Sequence, residues 1–274
     1  MIESIPNRRV VSIREKINTI GNEPLRLICD DYETYFVKNH KLISPATSMI
    51  NEVLCHFLLK LWNINTPEIA LITLEAETIR EDYGSRHKPL YYDRLAFGSK
   101  EFEGSFDISQ FVEIKGKVDF KKYYRAEMFA HIGLFDMWVD NEDRGPELKN
   151  LMLFEDEGRF NFLAIDHAAA FRSGAYDTLK KYNEFYSTED NFLLQSQFFK
   201  GLKRFLKADK EWLRKEEEKY YLCISRCERE FPEMALQIPP EWGFTKELQT
   251  LVSDFLFNDK RNKQVFAEYL RLCQ

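Results

Sequence analysis

The chain is short of several things. Its 274 residues include only 11 glycines and five cysteines, with fewer basic than acidic side chains and no long apolar run. The cysteines are odd in number and form no paired C-x-x-C signature, and Cys223 and Cys227 fall one helical turn apart in a charged stretch. Reduced thiols in a cytoplasmic protein are the simplest reading. With 39 Lys and Arg against 45 Asp and Glu, the formal net charge is −6 and the isoelectric point about 5.6. Affinity for a phosphate backbone comes from basic side chains that neutralise it, so direct nucleic-acid binding is not expected. The N-terminus, MIESIPNRRVVSIREK, is charged and broken by Pro6, unlike the apolar core of a signal peptide. No segment approaches the roughly 20 apolar residues that a membrane-spanning helix needs. Internal repeats and low-complexity tracts are also missing.

What remains is ordinary globular material, 44% hydrophobic and 31% charged, enough for a core of its own in one large or two-lobed unit. VVSI, PLRLICD and ETYFVKN are short β-rich runs separated by turn signals. Ser48 then reads as the N-cap of a helix running to Trp62, with Met49, Ile50, Val53, Leu54, Phe57, Leu58 and Leu61 on one wide apolar face. EIALITLEAETI is a further strand candidate. From Asp119 the period becomes helical, and DFKKYYRAEMFAHIGLFDMWVD predicts a long buried helix with Tyr124, Met128, Ile132, Phe135 and Trp138 inward. LMLFED and RFNFLAID follow as a hairpin across Glu157-Gly158. Beyond Ser173 three helical stretches are expected: FLLQSQFFKGLKRFL, EWLRKEEEKYYLCISRCEREF, and one from about Lys246 to Leu272. The pattern predicts an α+β chain, a β-rich part over residues 1–100 before a mainly helical part over 101–274.

Residues 140–166 concentrate the chemistry. Asp143 lies in a loop, Asn150 just before a strand and Asp166 at the end of the next strand, so a hairpin would bring Asn150 and Asp166 together. Such oxygen ligands suit Mg²⁺, which takes few protein ligands and completes its shell with water and phosphate oxygens. Asp143, entering the hairpin, could accept a hydroxyl proton, the layout of a phosphotransfer site. Asp and Asn also satisfy local backbone groups at loop ends, and pattern alone does not separate the two readings. A second set lies upstream: Lys38 ends a strand and Glu52 comes early in the next helix, the ion-pair order that positions nucleotide phosphates in protein-kinase-like folds. The turn around Gly21, N-T-I-G-N-E-P, could cover phosphates with backbone amides.

Other polar residues read more plainly. His56 falls among buried helix positions and reads as structural, and His131 has no Glu or His at the spacing of a zinc motif. The K-E-E-E-K run at 215–219 is a solvent-facing surface by pattern, and Phe198, Phe199 and Phe205 suit helix packing.

The stretch V-D-N-E-D-R-G-P-E-L-K-N-L-M-L, followed by F-L-A-I-D-H-A-A-A-F, resembles the catalytic loop and metal-binding strand of HipA-like kinases, which are distantly similar to phosphoinositide kinases. G-N-E-P-L, T-Y-F-V-K and the N-E-V-L-C-H-F-L-L-K-L-W helix resemble that family's first lobe, and A-F-G-S-K-E-F-E-G-S-F its connector. The resemblance spans roughly residues 18 to 172. It implies a two-lobed protein-kinase-like fold and an ATP- and Mg-dependent phosphotransferase acting on a hydroxyl acceptor, a protein serine or a small molecule. It implies Asp143 as catalytic residue, Asn150 and Asp166 as metal ligands, Lys38 with Glu52 and Gly21 at the nucleotide, and Arg144 and His167 in support. A small antitoxin-like partner protein is implied in the same way. Two departures are present: Asn150 follows Asp143 at a longer interval than in the compact family loop, and Ala168 stands where glycine is frequent. The long interval and the single glycine of the presumed phosphate turn leave room for a kinase-shaped protein that only binds nucleotide or a partner; a nucleotidyl transferase on the same fold is a third reading.

Overall fold

The structure, a computed structural model, describes residues 2–17, 24–75, 78–79, 89–108, 114–141, 143–144, 148–182, 193–206 and 209–274. The turn around Gly21 lies outside them. Among the described residues, five strands close into a barrel in the order β1, β2, β3, β5, β4. They are β1 Asn7–Lys16, β2 Leu25–Cys29, β3 Thr34–Lys38, β4 Ile69–Thr73 and β5 Ala96–Lys100. Period-two alternation explains the closure: Leu25, Leu27 and Cys29 from β2 and Tyr35 and Val37 from β3 all turn inward, where Ala70, Ile72 and Ala96 meet them. Gly98 sits inside this packing, opposite Val37 and Ala70. A Cβ there would lie 2.6 Å from Cγ1 of Ile72, so only glycine fits without displacing the barrel filling.

Helix α1, Thr47–Leu61, crosses from β3 to β4 and buries Met49, Ile50, Val53, Leu54 and Leu58 completely. The expected apolar face is present. The cap is not: Ser48 lies inside the helix, which starts after Ala46 without a side-chain cap because Ala46 N–H bonds the Trp242 carbonyl at 2.8 Å.

A second sheet holds β6 Phe106–Asp107, β7 Leu151–Asp156 and β8 Arg159–Ala164, with β7 and β8 forming the predicted hairpin from Leu151 opposite Ala164 to Asp156 opposite Arg159. The helical part comprises α2 Lys117–Phe120, α3 Met128–Val139, α4 Ala170–Ser173, α5 Gln197–Lys203, α6 Lys210–Leu236, α7 Lys246–Leu256 and α8 Asp259–Cys273. Three expectations need correction. The helix predicted from Asp119 starts only at Met128, because the edge of β8 recruits the preceding chain: Tyr124 N–H bonds the Phe160 carbonyl at 2.8 Å and Phe160 N–H bonds that of Lys122 at 2.7 Å. Tyr124 is accordingly exposed, with the Arg159 guanidinium over its ring. The single last helix is two, because Asn258 breaks the run and caps α8 by accepting from Arg261 N–H at 2.9 Å. In the K-E-E-E-K run, Lys215 pairs outward with Glu211, but Glu216 turns inward toward His131.

One hydrophobic cluster joins α1, the hairpin and the helices; the barrel filling forms another. Trp62 at the end of α1 stacks on Trp138 of α3 at 5.1 Å, and Phe129 packs on Phe198 at 4.8 Å, so the phenylalanines serve packing as their spacing indicated. The five cysteines are buried free thiols. No helix among the described residues is long and apolar enough to cross a membrane.

Candidate active site

Lys38 is the last residue of β3 and is paired in register with Phe97 of β5, which fixes its backbone. Its ammonium bonds Oε1 of Glu52 on α1 at 2.5 Å and Oδ1 of Asp166, two residues past β8, at 2.7 Å. The other oxygen of Glu52 accepts the backbone N–H of His167 at 3.0 Å. Strand, helix and post-hairpin segment thus meet at one buried cation. Burial works against charge on Lys38, but Glu52 and Asp166 together outweigh it and raise its pKa above the ordinary lysine value. Burial likewise works to raise Asp166, and the Lys38 charge and hydrogen bond reverse it, holding this carboxyl down at about 2. The Glu52 carboxyl is pushed up by burial against the pull of Lys38.

The loop side forms around the start of β7. Asn150 Nδ2 donates to Oδ2 of Asp143 at 2.9 Å, so the seven-residue interval still brings the two side chains into contact. Ile165 N–H bonds the Asn150 carbonyl at 3.1 Å, continuing the hairpin ladder until Asp166 is one residue away. Asn150 and Asp166 both have left-handed backbones, with φ of 62° and 53°, which turn the chain out of its strand at each end of the pair.

Beneath this loop lies a buried network that sequence reasoning did not find. Asp136 of α3, wholly inaccessible, accepts Nε of Arg144 at 2.5 Å and Nδ2 of Asn141 at 3.2 Å. Arg144 extends its other nitrogens to the Asn150 carbonyl and to Nε2 of His167, the latter at 2.8 Å. Guanidinium only donates, so His167 Nε2 must accept and the ring is neutral with its proton on Nδ1. Burial and the Arg144 charge both lower the His167 pKa, in keeping with that form. Burial opposes ionisation of Asp136, yet the Arg144 charge holds its pKa below the ordinary value. A signal for Asp136 was available: it is the lone carboxylate in M-F-A-H-I-G-L-F-D-M-W-V, a helix apolar on every side. Such a helix is buried throughout, and a buried charge requires a partner.

Of the predicted residues, Lys38, Glu52, Asp166 and His167 converge directly. Arg144 joins them through His167, and Asp143 and Asn150 through their mutual contact and the Asn150 backbone. Gly21 lies outside the described residues.

A strand lysine paired to a helix glutamate, with Asp and Asn side chains on a loop and hairpin below, defines a kinase-like α+β protein. The sequence model of the HipA-like kinases matches residues 10–265, and the chain belongs to that family. The chain is similar in structure to the Helicobacter pylori proinflammatory kinase CtkA, at 12% identity and a TM-score of 0.54 over 98% of both chains. It is also similar to the Golgi casein kinase, at 10% identity and a TM-score of 0.45 over 99% of this chain and 74% of that one. The structure of that kinase with Mn/ADP bound gives 11% identity and a TM-score of 0.40 over 94% and 74%. Comparison with curated proteins finds no match.

Proposed function

We propose that the chain is an ATP- and Mg-dependent phosphotransferase of two lobes, residues 1–100 and 101–274, that transfers the γ-phosphoryl group to a hydroxyl acceptor. The observation that carries this reading is the double engagement of Lys38 by Glu52 and Asp166, because it places a fixed cation beside a carboxylate suited to metal. Lys38, steadied by Glu52, binds nucleotide phosphates. Asp166 and the Oδ1 of Asn150 offer hard oxygen donors, and a set this small fits Mg²⁺, which keeps water and phosphate oxygens in its shell. Bound Mg²⁺ would neutralise charge on the transferring group. Asp143, exposed at the loop and held by Asn150, orients the acceptor hydroxyl and takes its proton. Arg144 and His167 keep the loop in place from below. Most of the acceleration comes from positioning and electrostatics, with proton acceptance contributing about 10²–10⁴-fold.

The long Asp143 to Asn150 interval was one motive for a binding-only protein, and the contact between the two side chains at 2.9 Å supports the phosphotransfer reading against it. The acceptor is a protein serine or a small hydroxylated molecule, and a small antitoxin-like protein is the partner to look for. Asp143→Asn tests the assignment: transfer is lost while Mg·ATP still raises the melting temperature. Equal transfer by parent and variant rejects Asp143 as the proton acceptor.

A further inference from the structure

Next to Glu52 on α1 is Asn51, an amide with no accessible surface. Its Nδ2 donates to the carbonyls of Ala168 at 2.9 Å and Ala170 at 2.7 Å, and its Oδ1 accepts from the Tyr176 hydroxyl at 2.5 Å. Each of these partners belongs to the segment that follows Asp166. The segment has an uncommon backbone: Asp166, Phe171, Arg172 and Ser173 have φ of 53°, 54°, 57° and 53°, and Gly174 continues the series at 78°. Left-handed conformations are unfavourable for side chains with a Cβ, so such a run persists only where its surroundings hold it.

Helix α1 supplies that hold along one face. Thr47 and Asn51 are four residues apart and share it. A Cβ on Gly174 would fall 2.4 Å from Cβ of Thr47, so the segment's backbone lies directly on the first turn of the helix. One turn on, Asn51 takes two carbonyls and a hydroxyl; the next residue, Glu52, takes Lys38 and the His167 N–H. Tyr176 is itself buried, its ring near Phe171 and Phe244.

We propose that Asn51 is a positioning residue: it clamps the segment carrying Asp166 to the helix carrying Glu52, so that the lysine ion pair and the metal-side carboxylate are set as one unit. The functional part of this inference rests on the phosphotransfer reading. The clamp itself does not. An amide is the side chain the site requires, because two carbonyls need donors and one hydroxyl needs an acceptor. Leucine at the same volume would take the amide partner from the Ala168 carbonyl and the Tyr176 hydroxyl, and leave the Ala170 carbonyl with the Gly174 N–H at 3.2 Å.

Amide hydrogen exchange on the full chain tests the clamp. In Asn51→Leu the amides of residues 168–176 should lose at least about tenfold protection while those of α3 and α6 keep the parent's values, with Tyr176→Phe intermediate. In Mg·ATP turnover, Asn51→Leu should lower kcat at least about tenfold and leave KM for ATP within about threefold, since Lys38 and Glu52 stay paired. Unchanged protection at 168–176, or loss spread evenly over the chain, overturns the clamp. Should Asn51→Leu fail to fold, Tyr176→Phe decides by the same criterion. A parent that turns over no ATP defeats the phosphotransfer reading, and the exchange measurement then decides the clamp alone. Locally lost protection with kcat unchanged keeps the clamp as architecture and overturns its positioning role.

Discussion

Arg144→Met removes the centre of the network under the Asp143 loop, and its cost follows from burial. Asp136 is fully inaccessible and Arg144 nearly so, and they meet at 2.5 Å. Removing the cation leaves the Asp136 carboxylate with the Asn141 amide at 3.2 Å as its remaining side-chain donor among those described above. Breaking a buried pair in this way costs about 3–5 kcal/mol, against a total stability of about 5–15 kcal/mol. At about 2 °C per kcal/mol for a chain of this size, the melting temperature should fall by about 6–10 °C. Arg144→Lys should recover little, because one ammonium cannot reach Asp136, the Asn150 carbonyl and His167 together. Asp136→Leu combined with Arg144→Met leaves no buried charge and should restore at least about half of the lost stability. Turnover should not return with it, since the Asn150 carbonyl and His167 Nε2 still lack the Arg144 guanidinium that ties them together. Urea and thermal unfolding of the three variants measure this. A loss below about 1 kcal/mol for Arg144→Met, or a double variant no more stable than the single one, would refute the reasoning.

Other consequences are as direct. Lys38→Met should weaken Mg·ATP binding by at least about tenfold and lower stability at neutral pH, because Glu52 and Asp166 then face each other without a cation; calorimetric titration that finds parental affinity would contradict the role of Lys38. His56 is held at about 4 by burial and then by Lys60. The unfolded chain takes up that proton near pH 6.5, so stability is lost as pH falls from about 6.5 to about 4, by up to about 3 kcal/mol. His56→Leu should flatten the melting temperature over that window, and an unchanged slope would show that other groups carry it. Gly98→Ala should cost about 1–3 kcal/mol through its clash with Ile72. In an Ile72→Ala background, which removes both clashing carbons, Gly98→Ala should cost less, and an equal cost in the two backgrounds would place the strain elsewhere.

Four of the barrel strands and the hairpin were legible because their side chains alternate between a filled interior and a second surface, which a single sequence displays; β5 was not, since Ala96–Lys100 was read as part of a connector and instead pairs with β3 and β4. Helix starts were less so. Residues 120–127 have an apolar helical period, yet Phe160 of β8 claims the backbone at Lys122 and Tyr124, a long-range pairing that no local window contains. The cap expected at Ser48 failed for the same reason, since Trp242 satisfies the helix entry from almost two hundred residues away. In the site, Lys38, Glu52, Asp143, Asn150 and Asp166 were readable from residue type and order. Asp136 and Asn51 were not singled out: Asp136 offered only its place in an apolar helix, and Asn51 acts through buried partners more than a hundred residues away. Only the fold shows that Asp136 faces Arg144 and that Asn51 faces the chain beyond Asp166.

The fate of the γ-phosphate tests the central claim most directly. The parent and Asp143→Asn would be incubated with Mg²⁺ and ATP labelled at either the γ- or the α-position, alone and with hydroxyl acceptors, and the label followed into acceptor and chain by mass spectrometry. The account predicts transfer of the γ-label only, by the parent and not by Asp143→Asn, with nucleotide bound by both. Incorporation of the α-label, or equal γ-transfer by the two proteins, would contradict it.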